Sequence, residues 1–303
     1  MCSSDLAGEN PPNGVVVHYW LKEAPAGDVT LTFLGADGRE IRSFTSSRGP
    51  ASSGGSAPAS PGAAGGEEPA PREPAGDDEP RPTKQAGANR FVWNLCGRDA
   101  TKLPDNKGRG GTIEMLAAPR VPPGAYTVRL TLDGRTLAQS FEIVKDPRVQ
   151  ATDDDLREQY AWATKSHALL TRVHDAVLTL RDLRTQAQSW SSRAHSPRVK
   201  DAARALAGTL SAIEGELIQV RAADPRMLPS RLNSRLATIG GLIDDSDAAP
   251  TQALRELHDS LAGRIEAELA KLERCLEEDV AAFNALCFDE GAAAIVTTPR
   301  PGA

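Results

Sequence analysis

Between Lys145 and Arg148 the spacing of apolar residues changes from two to three and four, and no single secondary structure accommodates both sides of that switch. Upstream, short runs alternate. Val15-Val16-Val17-His18-Tyr19-Trp20-Leu21 is rich in β-branched and aromatic residues, and Val29-Thr30-Leu31-Thr32-Phe33-Leu34 alternates apolar with small polar side chains. Ala36-Asp37-Gly38-Arg39 turns the chain into Glu40-Ile41-Arg42-Ser43-Phe44, again with period two. Strand signals resume at Asn89-Arg90-Phe91-Val92-Trp93-Asn94-Leu95, where Phe91, Trp93 and Leu95 share one side. A Pro-Gly turn at 122–124 feeds an alternating run to Leu132, and Asp133-Gly134-Arg135 returns it along residues 139–144. Six or seven strands over about 90 ordered residues predict a fibronectin- or immunoglobulin-like β-sandwich over residues 13–148. Tyr126 reads as a packed strand residue in it.

Residues 46–88 break this pattern with Pro, Gly, Ala, Ser and acidic residues. Such a stretch buries too little apolar surface to offset chain entropy, so it is expected to be a disordered insertion between strands. Glu67-Glu68 and Asp77-Asp78-Glu79 read there as solvated charge, because a pair of catalytic carboxylates needs rigid placement.

Downstream, residues 149–290 predict an elongated antiparallel helical bundle, so the fold class is multidomain, β then α. Thr152 is the expected N-cap, and Asp153-Asp154-Asp155 complement the helix dipole rather than hold a metal. The first helix carries Leu156, Tyr160, Ala163, Leu170, Val173, Val177 and Leu180, and ends near Trp190. A second is expected over 198–222, with Ala203, Leu206, Leu210, Ile213, Leu217 and Val220 on one face, and Pro225 and Pro229 interrupt it. A short third helix carries Leu232, Leu236, Ile239 and Ile243, and is placed equally well in line with the second or folded back beside it. The last opens at Thr251 and runs a stripe from Leu254 and Leu257 through Leu261, Ile265, Leu269, Leu272, Leu276, Val280 and Phe283 to Leu286. The first and last helices would each span roughly 55 Å. Residues 291–303 are a tail.

Charge excludes some functions. Residues 1–150 hold 17 Lys+Arg against 18 Asp+Glu, and the rest of the chain holds 18 against 23. Neither half offers the basic face that nucleic acid needs. No apolar run approaches the roughly 20 residues that span a bilayer. Met1-Cys2-Ser3-Ser4-Asp5-Leu6 resembles the translation of a sequencing adapter, so residues 1–12 are expected to be a foreign or linker lead on a chain that continues upstream. Of the other cysteines, Cys275 and Cys287 sit twelve residues apart on one helix, about 18 Å, too far to bridge.

The motifs of nucleophilic, nucleotide and zinc chemistry are absent: no GxSxG, P-loop, GxGxxG, HExxH or Glu-x-x-His occurs. His167 and His174, seven apart, share a helix face without an acidic partner at helical spacing, and read as core-edge or surface histidines. Trp162 and Trp190 read as packing anchors. The β half offers Glu23, Asp28, Asp37, Glu40, Glu114, Asp133 and Glu142, with nothing to pair them as a glycosidase requires. His18-Tyr19-Trp20 reads as core plus one edge aromatic. No catalytic, cofactor-binding or metal residue is assigned, and no cofactor is expected.

One set of motifs resembles a known family. Asn10-Pro11-Pro12-Asn13-Gly14-Val15, residues 89–95, Pro122-Pro123-Gly124-Ala125-Tyr126-Thr127-Val128 and Lys145-Asp146-Pro147-Arg148 occur in that order. Leu228-Pro229-Ser230-Arg231-Leu232-Asn233-Ser234-Arg235-Leu236 and Pro250-Thr251-Gln252 follow. Together they are similar to the C-terminal region of large bacterial sortilin-type proteins, which carry β-propellers of BNR (Asp-box) repeats and are often labelled glycosyl hydrolases. The resemblance implies a non-catalytic accessory region that docks on an upstream propeller of its own chain or binds a protein. The alternative it implies is a carbohydrate- or protein-binding module of an exo-sialidase-like hydrolase. An exported, periplasmic or extracellular protein is implied as well. No Ser-x-Asp-x-Gly-x-Thr-Trp repeat occurs here, and Cys96-Gly97 stands where the family more often has an arginine.

Overall fold

A computed structural model describes residues 12–47, 79–104, 116–220 and 229–296. Antiparallel β-sheets occupy the N-terminal half and helices the C-terminal half. Two compact units share the chain. The β unit takes the chain to Cys96 and then Pro123–Val144, and the helical unit takes Gly97–Pro122 and everything from Lys145.

Six strands are found among the described residues: β1 Val15–Leu21, β2 Thr30–Leu34, β3 Glu40–Thr45, β4 Gly87–Trp93, β5 Gly124–Leu132 and β6 Arg135–Ile143. β1 and β4 pair as one sheet, and the other four form a second in the order β3-β2-β5-β6. The two-residue spacing puts Leu31, Phe33, Phe44, Phe91 and Trp93 inward, all nearly or wholly buried. Phe33 of the larger sheet stacks on Trp93 of the smaller with ring centroids 4.3 Å apart, and Phe44 meets Phe91 at 4.8 Å. The Trp93 indole donates to the Cys96 carbonyl at 2.9 Å, which satisfies its one polar group. Asp133 and Gly134, at φ +49° and +75°, make the β5–β6 turn that Asp-Gly predicts. At Gly14, φ is +148° and a Cβ would stand 2.2 Å from the Trp93 carbonyl oxygen, so only glycine lets β1 approach the end of β4.

The insertion ends sooner than residue 88. Residues 48–78 lie outside those described, but 79–88 are held to the β unit. Asn89, almost fully buried, accepts from the Gln85 N–H at 3.1 Å and the Thr83 hydroxyl at 2.7 Å. Its amide donates to the Gln85 and Gly87 carbonyls at 2.8 and 3.1 Å. Arg42 donates to the Glu79 carboxylate at 3.0 Å, and the Tyr19 hydroxyl donates to the Thr83 carbonyl. One polar side chain therefore orders a stretch whose composition reads as disordered.

The helical unit holds α1 Asp153–Arg193, α2 Pro197–Leu217, α3 Leu232–Asp244, α4 Gln252–Arg274 and α5 Ala281–Asp289, with a π-helical stretch Cys275–Val280 joining the last two. Thr152 and Asp155 form a capping box at the start of α1: the Asp155 N–H donates to the Thr152 hydroxyl at 3.1 Å, and the Thr152 N–H to the Asp155 carboxylate at 2.8 Å. Hydrogen bonds and ion pairs between helices give their directions. Arg181 and Arg184 of α1 meet Glu214 of α2 across a tight connection, so α2 runs back along α1. Gln159 meets the end of α3, whereas Ser166 faces Gly240 nearer its middle, so α3 also runs antiparallel to α1. The third helix thus shares the direction of α2 and covers the N-terminal part of α1. Glu158, Lys165 and Arg172 pair with Arg255, Asp259 and Glu266 in step, so α4 runs parallel to α1.

The last helix departs from its predicted stripe. Leu272, Cys275, Val280, Phe283 and Cys287 are buried, Leu276 and Leu286 are only partly so, and Leu257 is half exposed. The five-residue step from Cys275 to Val280 coincides with the π stretch, whose extra residue rotates the following turns so that their apolar side chains return to the core. Both thiols are free, and burial helped by Asp279 pushes Cys275 up to about 12. No helix among the described residues is long and apolar enough to cross a membrane.

Candidate functional site

Ala163, Ser166, His167, Leu170 and His174 recur along α1 at helical spacing, and the described parts of the segment 97–122, residues 97–104 and 116–122, meet this part of the helix at Thr101 and Leu116. That segment belongs with the helices rather than with the strands that flank it in sequence, because its apolar residues Ala100, Leu103 and Leu116 join the helical core. The Ala100 N–H donates to the Leu116 carbonyl at 2.8 Å and ties its two described pieces together.

Both histidines serve this segment. His174, 1 % exposed, donates from Nδ1 to the Thr101 carbonyl at 2.6 Å. His167 donates from Nε2 to the Leu116 carbonyl at 3.3 Å. A carbonyl only accepts, so each bond fixes the tautomer: His174 keeps its proton on Nδ1 and His167 on Nε2. Burial pushes both imidazoles below the usual histidine range, with the carbonyls opposing. The Nε2 of His174 is buried and has no hydrogen-bond partner. Among the described residues, no group of three His, Cys, Asp or Glu side chains is placed to hold a metal ion.

Beside His167 a cavity of about 340 Å³ opens between α1, α3 and the segment around Ala117 and Pro119. Its apolar lining includes Ala163, Leu170, Leu236 and Ala237. Ser166 lines it too, is 2 % exposed, and its hydroxyl has no partner. Gly240 makes the close approach possible: a Cβ there would stand 3.3 Å from the Ser166 Cβ. The last turn of α3 adds Asp244 and Asp245. Burial raises the Asp244 carboxyl above the usual aspartate range, although the Arg120 N–H and the Arg120 charge oppose this. Behind that turn, Gln159 closes the helix end by donating to the carbonyls of Ile243 at 2.8 Å, Asp244 at 2.9 Å and Ser246.

No family model, curated protein or solved structure matches this chain.

A second polar cluster joins α1 to α4. His258 is fully buried, edge-on to Trp162 at 5.2 Å, with Nδ1 3.2 Å from the Asp259 carboxylate. Lys165 lies 4.5 Å over the Trp162 ring and 3.0 Å from the same carboxylate. Trp162 and Trp190 both pack partly buried against the helical core.

In the β unit, Glu23, Asp28, Asp37, Glu40, Asp133 and Glu142 are exposed, and Glu114 lies outside the described residues. Tyr126 is buried and stacks on Phe141 at 5.9 Å. The aromatic run of β1 divides between the two faces of the strand. Trp20 is 73 % exposed and stands with exposed His18 on one face, while Tyr19 lies half-buried on the face that carries buried Leu21. Sequence reasoning missed Ser166, Asp244 and Asp245. The signals were Gly240-Gly241 inside a short helix and an acid pair at its C-terminal end, where the helix dipole favours cations.

Proposed function

We propose that this chain is a non-catalytic accessory region of a larger protein of the sortilin and BNR-propeller type. In this reading the two sheets are a fibronectin-like sandwich that docks on an upstream propeller, and the helices are an elongated bundle that braces it. The observation that carries the reading is where the interior polar side chains go. His167, His174 and Gln159 bond backbone carbonyls of the 97–122 segment and of the end of α3, which is the work of a scaffold. The motif order from Asn10 to Gln252 supports the family.

The gene upstream of this segment tests it. In-frame Ser-x-Asp-x-Gly-x-Thr-Trp repeats are expected there, together with no turnover of a fluorogenic sialoside by the 303-residue chain. A coding sequence without such repeats, or hydrolysis by this chain alone, would overturn the proposal. One observation favours the carbohydrate-binding alternative: Trp20 and His18 are exposed on the same face of β1, and sugar rings stack on such aromatics. Glycan-array binding that Trp20→Ala abolishes would select that reading instead.

A further inference from the structure

We propose that the cavity between α1 and α3 is a binding site for a small organic ammonium ion with an apolar body. Its volume, about 340 Å³, sits at the lower end of the roughly 300–1,000 Å³ typical of small-molecule sites. Ala163, Leu170, Leu236 and Ala237 offer the body an apolar lining.

The polar groups select the head. Asp244 and Asp245 are anions, and His167, whose proton is committed to the Leu116 carbonyl, presents Nδ1 only as an acceptor. The Ser166 hydroxyl, buried and without a partner, is free to accept or donate. A ligand must therefore bring donors and positive charge. The place of the acids argues independently for a cation. Aspartates at a helix C-terminus lie against the negative end of the dipole, and the last turn of α3 has no basic residue to offset them. Burial and the neighbouring Asp245 raise the Asp244 carboxyl although the Arg120 N–H and the Arg120 charge oppose them, so the acid pair favours a further cation beside it. A bound ammonium adds counter-charge to that of Arg120, and the unpartnered Ser166 hydroxyl gains a hydrogen-bond partner.

The probe is n-hexylammonium, titrated at pH 7 into the full chain and followed by amide chemical shifts, with hexanol and hexanoate as neutral and anionic analogues. Saturable binding with Kd on the order of 1 mM is expected for so few atoms, with shifts at Ser166, Gly240 and Asp245. Hexylammonium should bind at least about tenfold tighter than either analogue, since a charge-assisted hydrogen bond is worth about that factor. Asp244→Asn, which keeps the acceptor for the Arg120 N–H, and Asp245→Asn should each remove most of that preference while leaving hexanol binding unchanged. Equal affinity for the three probes, shifts that map elsewhere, or no saturation by about 20 mM would overturn the proposal. Full preference for the ammonium in both variants would overturn it as well. The inference is independent of the accessory role: hydrolase activity or a missing propeller would leave it standing.

Discussion

Replacing Glu214 with alanine removes the buried carboxylate that Arg181 and Arg184 share, and the cost follows from how the three side chains are buried. The carboxylate is 1 % exposed, whereas the arginine side chains are 23 % and 26 % exposed. Arg181 donates from Nε at 2.7 Å to one oxygen, and Arg184 donates to the other. Breaking a buried ion pair by deleting one partner costs about 3–5 kcal/mol because the remaining charge is stranded. Here the guanidinium groups reach solvent in part, so the expected loss is about 2–4 kcal/mol. Replacing all three groups together, as Arg181→Met, Arg184→Met and Glu214→Leu, leaves none of the three charges behind and should cost less than about 1 kcal/mol, or stabilise. Urea unfolding followed at 222 nm reads the helical unit directly, and an unchanged slope shows that the same surface is exposed in each variant. A loss below about 1 kcal/mol for Glu214→Ala, or a triple variant as unstable as the single one, would refute the assignment of this ion triad as the tie between α1 and α2.

Two further outcomes follow from the same kind of reasoning. Gly14→Ala puts a methyl group against the Trp93 carbonyl and strains φ, so the β unit should lose at least about 1–3 kcal/mol, read from the fluorescence of buried Trp93; an unchanged midpoint would contradict the close approach. Burial lowers the imidazoles of His167, His174 and His258, so the unfolded chain takes up protons before the folded one as pH falls. Their stabilisation is complete above the ordinary histidine value of about 6.5 and is lost as pH drops below it toward the folded-state values. The melting temperature should therefore fall between pH 7.5 and pH 5.5, and less steeply in His174→Gln; a flat profile would contradict the burial of neutral imidazoles.

The switch of period at Lys145 was legible because both halves repeat their pattern over many residues, and so were the Thr152 cap and the Asp133-Gly134 turn, whose chemistry is local. The features that were not legible depend on partners far away in the chain. Nothing in Ala100, Leu103 or Leu116 marks them for a helical core, since a short apolar segment has no period to read. The early end of the insertion rests on Asn89, an ordinary strand residue until Gln85 and Thr83 are seen bonded to it. Cys275 displaced Leu276 from the core because one π turn shifts the phase of everything after it. The cavity was hidden for a similar reason. Ser166 looks like any polar helix position, and Asp244-Asp245 like a loop, until Gly240 brings α3 against α1.

The excursion of residues 97–122 sets the order in which the molecule can be completed. This segment is translated before any helix exists to receive it, so Leu103 and Leu116 wait uncovered until α1 and α3 have left the ribosome. β4 can pair with β1, and β5 with β2 and β6, before any helix is made, so Leu103 and Leu116 find their places last although they are made early. A cut near residue 148 would consequently yield one piece carrying an orphaned flap and another missing part of its interior.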